Sequence, residues 1–161
     1  MTTSTAPRPL VRNADQLERR WFYGGGIHVM HAMSAETGGA FFMSETQMEE
    51  GKVTPLHTHP ADESLYVLEG ELLLHIDGEE FTLSVGGFTL APAGVPHAFK
   101  VISAGGARVL DFQTPGICEA FYLGASVPLA PGETSGVVDF DKVAESGRVN
   151  GGFELVGPPP F

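Results

Sequence analysis

Short apolar runs separated by glycine or proline extend through most of this chain. Twelve prolines and 21 glycines are distributed over its 161 residues. This spacing implies many turns, which favours an all-β domain over a helical bundle. A chain of this length fits one domain and can bury a sizeable core without disulfides. The sequence therefore predicts a single domain built mainly from strands.

Charge and cysteine content exclude several classes of partner. The formal net charge is −11, so no basic surface is available to neutralise nucleic-acid phosphates or an anionic membrane. The single cysteine, Cys118, cannot form an internal disulfide and suits a reducing compartment. The first 20 residues lack the apolar core of a signal peptide, and no later apolar run is long enough to span a bilayer. We expect a cytoplasmic protein.

The chain divides into a mobile N-terminal arm, residues 1–12, and one domain, residues 13–161. Residues 21–48 alternate apolar segments with glycine clusters, which predicts two or three strands. Between residues 53 and 112, the turn signals Glu69-Gly70 and Asp77-Gly78 predict a meander of antiparallel strands.

A short helix is expected near the C-terminus, in the segment DFDKVAESG. Asp139 is a suitable N-cap, and Gly147 is the expected stop. Phe140, Val143 and Ala144 share one face of this helix. The chain then ends in GFELVGPPPF, which its prolines should keep extended.

The segment PLHTHPADESLYVLEG, residues 55–70, brings three candidate metal ligands close together. Side chains two apart on a strand point to the same face, so His57 and His59 should project together, with Glu63 beginning the next strand. His97 follows a second turn in APAGVPHAFKV. Three imidazoles and one carboxylate suit a divalent transition metal ion, with Fe, Ni, Mn, Cu, Co and Zn all open.

These ligands lie within two longer patterns. Gly51-x5-His57-x-His59-x3-Glu63-x6-Gly70 and Gly86-x5-Pro92-x-Gly94-x2-His97 resemble the two motifs of the cupin superfamily, within residues 51–70 and 86–101. The second motif usually ends in asparagine, and here Val101 stands in its place. Asparagine is not normally a ligand there, so the metal set is unaffected. The resemblance implies a single cupin domain, a jelly-roll-like β-barrel, that binds one metal ion.

The flanks WFYGGGIHVMHAMSAETGGAFF and FELVGPPPF resemble those of short bacterial cupins grouped with quercetin 2,3-dioxygenase. That likeness implies cleavage of a flavonol or related enolic aromatic compound by O2, with release of carbon monoxide. Two alternatives stay open: a redox-neutral metal enzyme such as a polyketide cyclase or isomerase, and a non-catalytic cupin that binds a small molecule. In the dioxygenase, we expect Glu63 to be the catalytic base as well as a ligand.

Strand parity predicts the surroundings of the ion. If the ligands face inward, the neighbouring inward positions form an apolar pocket that suits a flat aromatic substrate. Its predicted lining is Val53, Leu65, Val67, Phe99 and Val101.

Other residues have simpler expected roles. His28, His31 and His75 lack motif spacing and are expected to be half-buried surface groups, and Asp62 is expected to be a solvated turn residue. Cys118 should be a small buried apolar group. The aromatic clusters at residues 21–23 and 41–42 are expected in the core rather than in a substrate platform.

Two apolar side chains are expected on the outer face of their strand. Parity places Tyr66 and Leu68 there, where a lone barrel would expose them to solvent. Because single-domain cupins commonly cover such a surface, we expect a homodimer.

Overall fold

The computed structural model describes residues 8–161, which form twelve strands and two α-helices. The strands are β1 (Glu18–Phe22), β2 (Ile27–Ala32), β3 (Phe42–Met48), β4 (Leu56–Thr58), β5 (Asp62–Glu69), β6 (Glu71–Ile76), β7 (Glu79–Ser84), β8 (Phe88–Ala91), β9 (His97–Val101), β10 (Ala107–Thr114), β11 (Ser126–Pro128) and β12 (Glu154–Gly157). The helices are α1 (Glu119–Gly124) and α2 (Phe140–Asn150), and 3-10 turns occupy Ala14–Gln16 and Gly116–Cys118.

The strands pair into two antiparallel sheets. One has seven strands in the order β11-β1-β2-β3-β10-β5-β8, and the other has five in the order β12-β4-β9-β6-β7. This arrangement confirms the predicted all-β jelly-roll with a short C-terminal helix. The sheets are hydrogen-bonded separately within residues 8–161, so the sandwich is not one closed ring of strands. No helix in this part of the chain is long and apolar enough to cross a membrane.

Alternating burial along the central strands creates the core. In β3 and β10, every second side chain is buried, because side chains on a strand point alternately to its two faces. Val67, Leu72, Val101 and Val109 pack into one cluster where the sheets meet. Full burial of side chains of this size stabilises the fold by about 1.5–3 kcal/mol each.

The two predicted turns in the meander have different roles. Asp77-Gly78 joins β6 to β7 in a hairpin, and both residues have positive φ, as a type I′ turn requires. Glu69-Gly70 instead carries the chain between sheets, since β5 and β6 are not paired with each other. The prediction of one continuous meander is therefore wrong at Glu69-Gly70. Gly70 has φ +81°, and a Cβ there would collide with the carbonyl oxygen of Gly106.

The C-terminal helix begins as predicted but ends later. Asp139 caps α2, accepting a hydrogen bond from the backbone N–H of Lys142 at 3.2 Å. The helix continues through the predicted stop, Gly147, and Gly151, with φ 64°, follows its last residue. A single glycine costs a helix only about 1 kcal/mol, which packing of α2 against α1 can offset.

The predicted mobile arm comprises residues 1–12, and its first seven residues lie outside the described part of the chain. Residues 8–12 are exposed, and Arg12 donates to the carboxylate of Glu36 at 2.9 Å.

Candidate metal centre

Three histidines meet at one end of the space between the two sheets. His57 on β4 lies directly opposite His97 on β9, and His59 follows two residues after His57. All three are buried. One nitrogen from each lies within 4.8 Å of the others, a spacing that allows a single ion to be held between them.

Backbone carbonyls fix the orientation of each ring. The Nδ1 atoms of His57, His59 and His97 lie 2.8 Å from the carbonyl oxygens of residues 55, 61 and 95, respectively. A carbonyl oxygen only accepts hydrogen bonds, so each Nδ1 must donate. Each Nε2 of the neutral ring then keeps its lone pair, as a metal ligand requires.

Two of the Nε2 atoms that face the centre of the cluster have no hydrogen-bond partner. The Nε2 atoms of His59 and His97 are buried without a hydrogen bond. Glu63 approaches both, with Oε1 3.6 Å from His59 Nε2 and Oε2 3.2 Å from His97 Nε2, although neither contact has hydrogen-bond geometry. A buried polar atom without a partner costs about 1–3 kcal/mol. Converging lone pairs beside a carboxylate fit a divalent cation, which would satisfy all of them.

Electrostatics favour the metal-binding protonation states of Glu63 and His57, whereas at His59 burial is outweighed by the carboxylate of Glu63, which raises the pKa of that ring. Burial alone would raise the pKa of Glu63, but the adjacent rings of His59 and His97 outweigh it and hold that pKa well below its usual range. Burial lowers the pKa of His57 to about 4. At neutral pH, Glu63 is therefore a carboxylate, and His57 is a neutral ring that can donate its lone pair.

Behind Glu63 lies a buried polar group that sequence reasoning missed. Gln113 is directly opposite Glu63 in the pairing of β10 with β5, and its Nε2 donates to Glu63 Oε1 at 3.1 Å. The same nitrogen lies 2.7 Å from the hydroxyl of Tyr122 and 3.4 Å from Asp111 Oδ2. Burial and the nearby Glu63 carboxylate raise the pKa of Asp111 well above its usual range.

A signal for this group was present in the sequence. Asp111 and Gln113 are two residues apart in RVLDFQT, at core-facing positions of a strand. Polar side chains at such positions need buried partners, so the alternation itself pointed to a polar site.

His28 is also placed differently from its prediction. It is only 5% exposed, and its Nδ1 lies 3.5 Å from the hydroxyls of Ser44 and Thr46. Burial, with a smaller contribution from Lys52, lowers the pKa of His28 to about 3. The expectation of a surface group was wrong for His28, because spacing in one strand does not reveal what the opposite sheet covers.

A cavity of about 610 Å³ opens beside the cluster, with His57 and Glu63 in its wall. Three of the predicted pocket residues, Val53, Leu65 and Phe99, also line it. The other two, Val67 and Val101, lie in the core cluster and are 0% and 1% exposed. Strand alternation correctly predicted that these side chains face inward. It does not predict whether an inward-facing side chain lies beside the cavity or in the core between the sheets.

The outer side of the cavity is covered by α2 and by aromatic rings. Phe153 stacks on His57 with ring centroids 4.8 Å apart, and it stacks on Phe121 at 5.1 Å. Phe22, expected in the core, also faces the cavity. The helix residues that line it are Phe140, Val143, Ala144, Gly147 and Arg148.

The remaining candidate residues lie apart from the ligand atoms. Asp62 is half-buried, and its Oδ1 accepts a hydrogen bond from the backbone N–H of Ala93 at 2.8 Å. Cys118 is buried, and burial raises its pKa to about 11, as expected for an unreactive thiol. His31 and His75 are half-buried, as predicted.

The fold and the histidine cluster define a jelly-roll protein with a candidate mononuclear metal site. Residues 44–113 match the family described as Cupin domain, so this segment is similar to a cupin domain. Among solved structures, it is similar to an RmlC-like cupin from Shewanella frigidimarina, with a TM-score of 0.59 and 21% identity over 68% of this chain and 93% of the other. That likeness supports the fold alone.

Two curated relatives match different extents of the chain. Quercetin 2,3-dioxygenase from Bacillus subtilis is 33% identical over 85 residues, which are 52% of this chain but only 25% of the relative. Polyketide synthase CurC from Streptomyces cyaneus is 29% identical over 143 residues, 88% of this chain and 84% of the relative.

Proposed function

We propose that this chain is a metal-dependent dioxygenase that cleaves a flavonol or related enolic aromatic compound with O2. The observation that carries this proposal is a buried cluster of three imidazoles and a carboxylate that opens directly on a large, mostly apolar cavity. Such a cavity favours a flat aromatic substrate over a sugar or phosphate, which would need many polar partners. The partial match to quercetin 2,3-dioxygenase supports the same substrate class.

His57, His59, His97 and Glu63 would hold one divalent ion, and the donor set is compatible with Fe, Ni, Mn, Cu, Co or Zn. When bound, the ion would act as a Lewis acid that lowers the pKa of a coordinated hydroxyl.

Glu63 is the residue that we assign as proton acceptor. It is ionised at neutral pH, it lines the cavity, and Gln113 holds one of its oxygens from behind. A substrate hydroxyl at the cluster can pass its proton to the Glu63 oxygen that Gln113 does not hold. The substrate anion is electron-rich, which makes it the form that reacts with O2.

The cavity wall has a separate role in this reaction. Phe99, Phe121 and Phe153 offer apolar surface for the substrate rings, and α2 covers the outer side. Excluding water in this way strengthens electrostatic interactions at the cluster and protects a reactive anion from reprotonation.

A redox-neutral polyketide cyclase is the second candidate. The similarity to CurC extends over 88% of this chain, whereas the similarity to quercetin 2,3-dioxygenase covers 52%. A cyclase also needs a polarised carbonyl and a base beside an apolar cavity, so the same residues would serve it.

The deciding experiment compares turnover of quercetin in air and under nitrogen, with metal content measured in each preparation. A dioxygenase requires O2 and consumes it in step with substrate, whereas undiminished product under nitrogen would eliminate this reading. A metal-loaded protein without turnover of quercetin in air would leave the polyketide cyclase and the binding cupin. Glu63→Gln, compared with wild type at equal metal content, should slow turnover by about 10²- to 10⁴-fold. Glu80→Gln, exposed on β7, is the matched control.

A further inference from the structure

One charged side chain in the cavity has no part in the proposed reaction. Lys52 lines the same cavity as the metal cluster. Its ammonium donates to the carbonyl oxygen of Gly24 and lies 5.7 Å from the centroid of the Phe22 ring. Most of the surrounding wall is apolar, so this cation has lost much of the hydration it would have at a surface.

The ammonium has more donors than partners. It carries three N–H groups, and among residues 8–161 the Gly24 oxygen is its one hydrogen-bond acceptor, with no carboxylate paired to it. Burial lowers the pKa of Lys52 to about 8, which still leaves it mainly protonated at neutral pH. An acidic oxygen arriving in the cavity would supply the missing acceptor.

Strand β9 gives the separation between Lys52 and the cluster. The backbone N–H of Val101, at one end of β9, donates to the carbonyl of Lys52 at 2.8 Å. His57 lies opposite His97, at the other end. At about 3.3 Å per residue, the four intervening steps separate the backbones at Lys52 and His57 by roughly 13 Å, and the Lys52 side chain extends from there toward Gly24 and Phe22. The shared cavity of about 610 Å³ has room for a planar compound of two or three aromatic rings.

We propose that Lys52 is a specificity-determining residue that binds an acidic oxygen of the substrate, at the end of the cavity remote from the metal cluster. The preferred ligand is then a planar aromatic compound with an acidic oxygen near each end, one for the cluster and one for Lys52. The identity of the substrate at the cluster end depends on the proposed function. Binding of an anionic aromatic group at Lys52 does not depend on which reaction follows.

The test uses two fluorescent probes that differ by one negative group. 8-Anilinonaphthalene-1-sulfonate carries a sulfonate, and N-phenyl-1-naphthylamine has the same rings without it. Lys52→Met keeps most of the apolar stem and removes the charge, so it should bind the sulfonate probe about 10- to 100-fold more weakly. The neutral probe should bind wild type and Lys52→Met within about twofold.

Two further variants make the result specific. Lys52→Arg retains a cation and should keep most of the affinity for the sulfonate probe. Lys142→Met is the matched control, because Lys142 is exposed on α2 and contacts Tyr23 rather than the cavity. It should bind both probes as wild type does.

Equal affinity of wild type and Lys52→Met for the sulfonate probe, including no detectable binding to either, would overturn the proposal. An equal loss for both probes would overturn it as well, because that result indicates a collapsed cavity rather than a lost charge. Neither measurement involves turnover. A protein that leaves quercetin unchanged but discriminates the probes through Lys52 would count against the proposed reaction on quercetin and retain this inference.

Discussion

Replacing Gln113 with methionine should weaken metal binding without changing any ligand. Gln113 is fully buried, and its amide donates to Glu63 Oε1 at 3.1 Å. Methionine has a similar length and volume, so the cavity penalty should be small. The variant leaves the Glu63 carboxylate without this donor and free to rotate away from His59 and His97.

The expected loss can be worked from that one contact. A hydrogen bond to a charged group contributes about 1.5–3 kcal/mol, which corresponds to roughly 10- to 150-fold in an equilibrium constant. Partners behind metal ligands typically change metal affinity by about 10- to 100-fold, in agreement with this value. The affinity of Gln113→Met for Zn²⁺, measured by competition with a chromophoric chelator, should therefore be about 10- to 100-fold lower than that of wild type.

Gln47→Met provides the matched control. Gln47 also donates to a glutamate, Glu45, at 3.0 Å, but on the half-buried outer side of β3. This variant should bind Zn²⁺ as wild type does. If Gln113→Met binds Zn²⁺ within about twofold of wild type while remaining folded, the carboxylate does not depend on this amide, and the positioning role is refuted.

Three further predictions concern the ligands, acid stability and assembly. His57→Ala, His59→Ala and His97→Ala should each lose most bound metal by elemental analysis, and full occupancy in all three would reject the site. His28 has a pKa lowered from 6.5 to about 3, so its contribution to stability is fully present above pH 6.5 and is lost as the pH falls toward 3. Urea unfolding of metal-free protein should show this loss, at up to about 1.4 kcal/mol per pH unit, and His28→Gln should flatten it; parallel slopes would contradict the assignment. Tyr66 is 42% exposed beside Phe88, which is 61% exposed, so we expect a homodimer; a monomer in sedimentation at micromolar concentration would exclude it.

The ligand cluster was predictable because local rules determine it. His57 and His59 share a face through strand periodicity alone, and a turn returns the chain to Glu63. Bringing His97 beside them required only the motif resemblance, and β4 and β9 do pair at these residues. The fold class followed from the same alternation and from the glycine turns.

Strand alternation did not predict which inward-facing residues reach the cavity, or which residues of the opposite sheet lie next to them. Val67 and Leu65 occupy equivalent positions on one face of β5, yet only Leu65 reaches the cavity. His28 and Lys52 come from segments far apart in sequence that the sandwich brings to one cavity. Residue spacing within a strand gives the direction of a side chain but not the surface that covers it.

The dioxygenase and the cyclase would use the same residues of the cavity. Both proposed reactions would begin with an enolic compound whose acidic oxygen lies at the histidine cluster, and both would need a base there, so changing Glu63 would slow either one. Gln113 acts on the position of Glu63, and Lys52 acts on which compound binds, so their variants would also affect both reactions in the same direction. The reactions differ in whether O2 is consumed, which no substitution in this cavity reports. Turnover under nitrogen is therefore the measurement that assigns the reaction, and the variants then assign each residue its part in it.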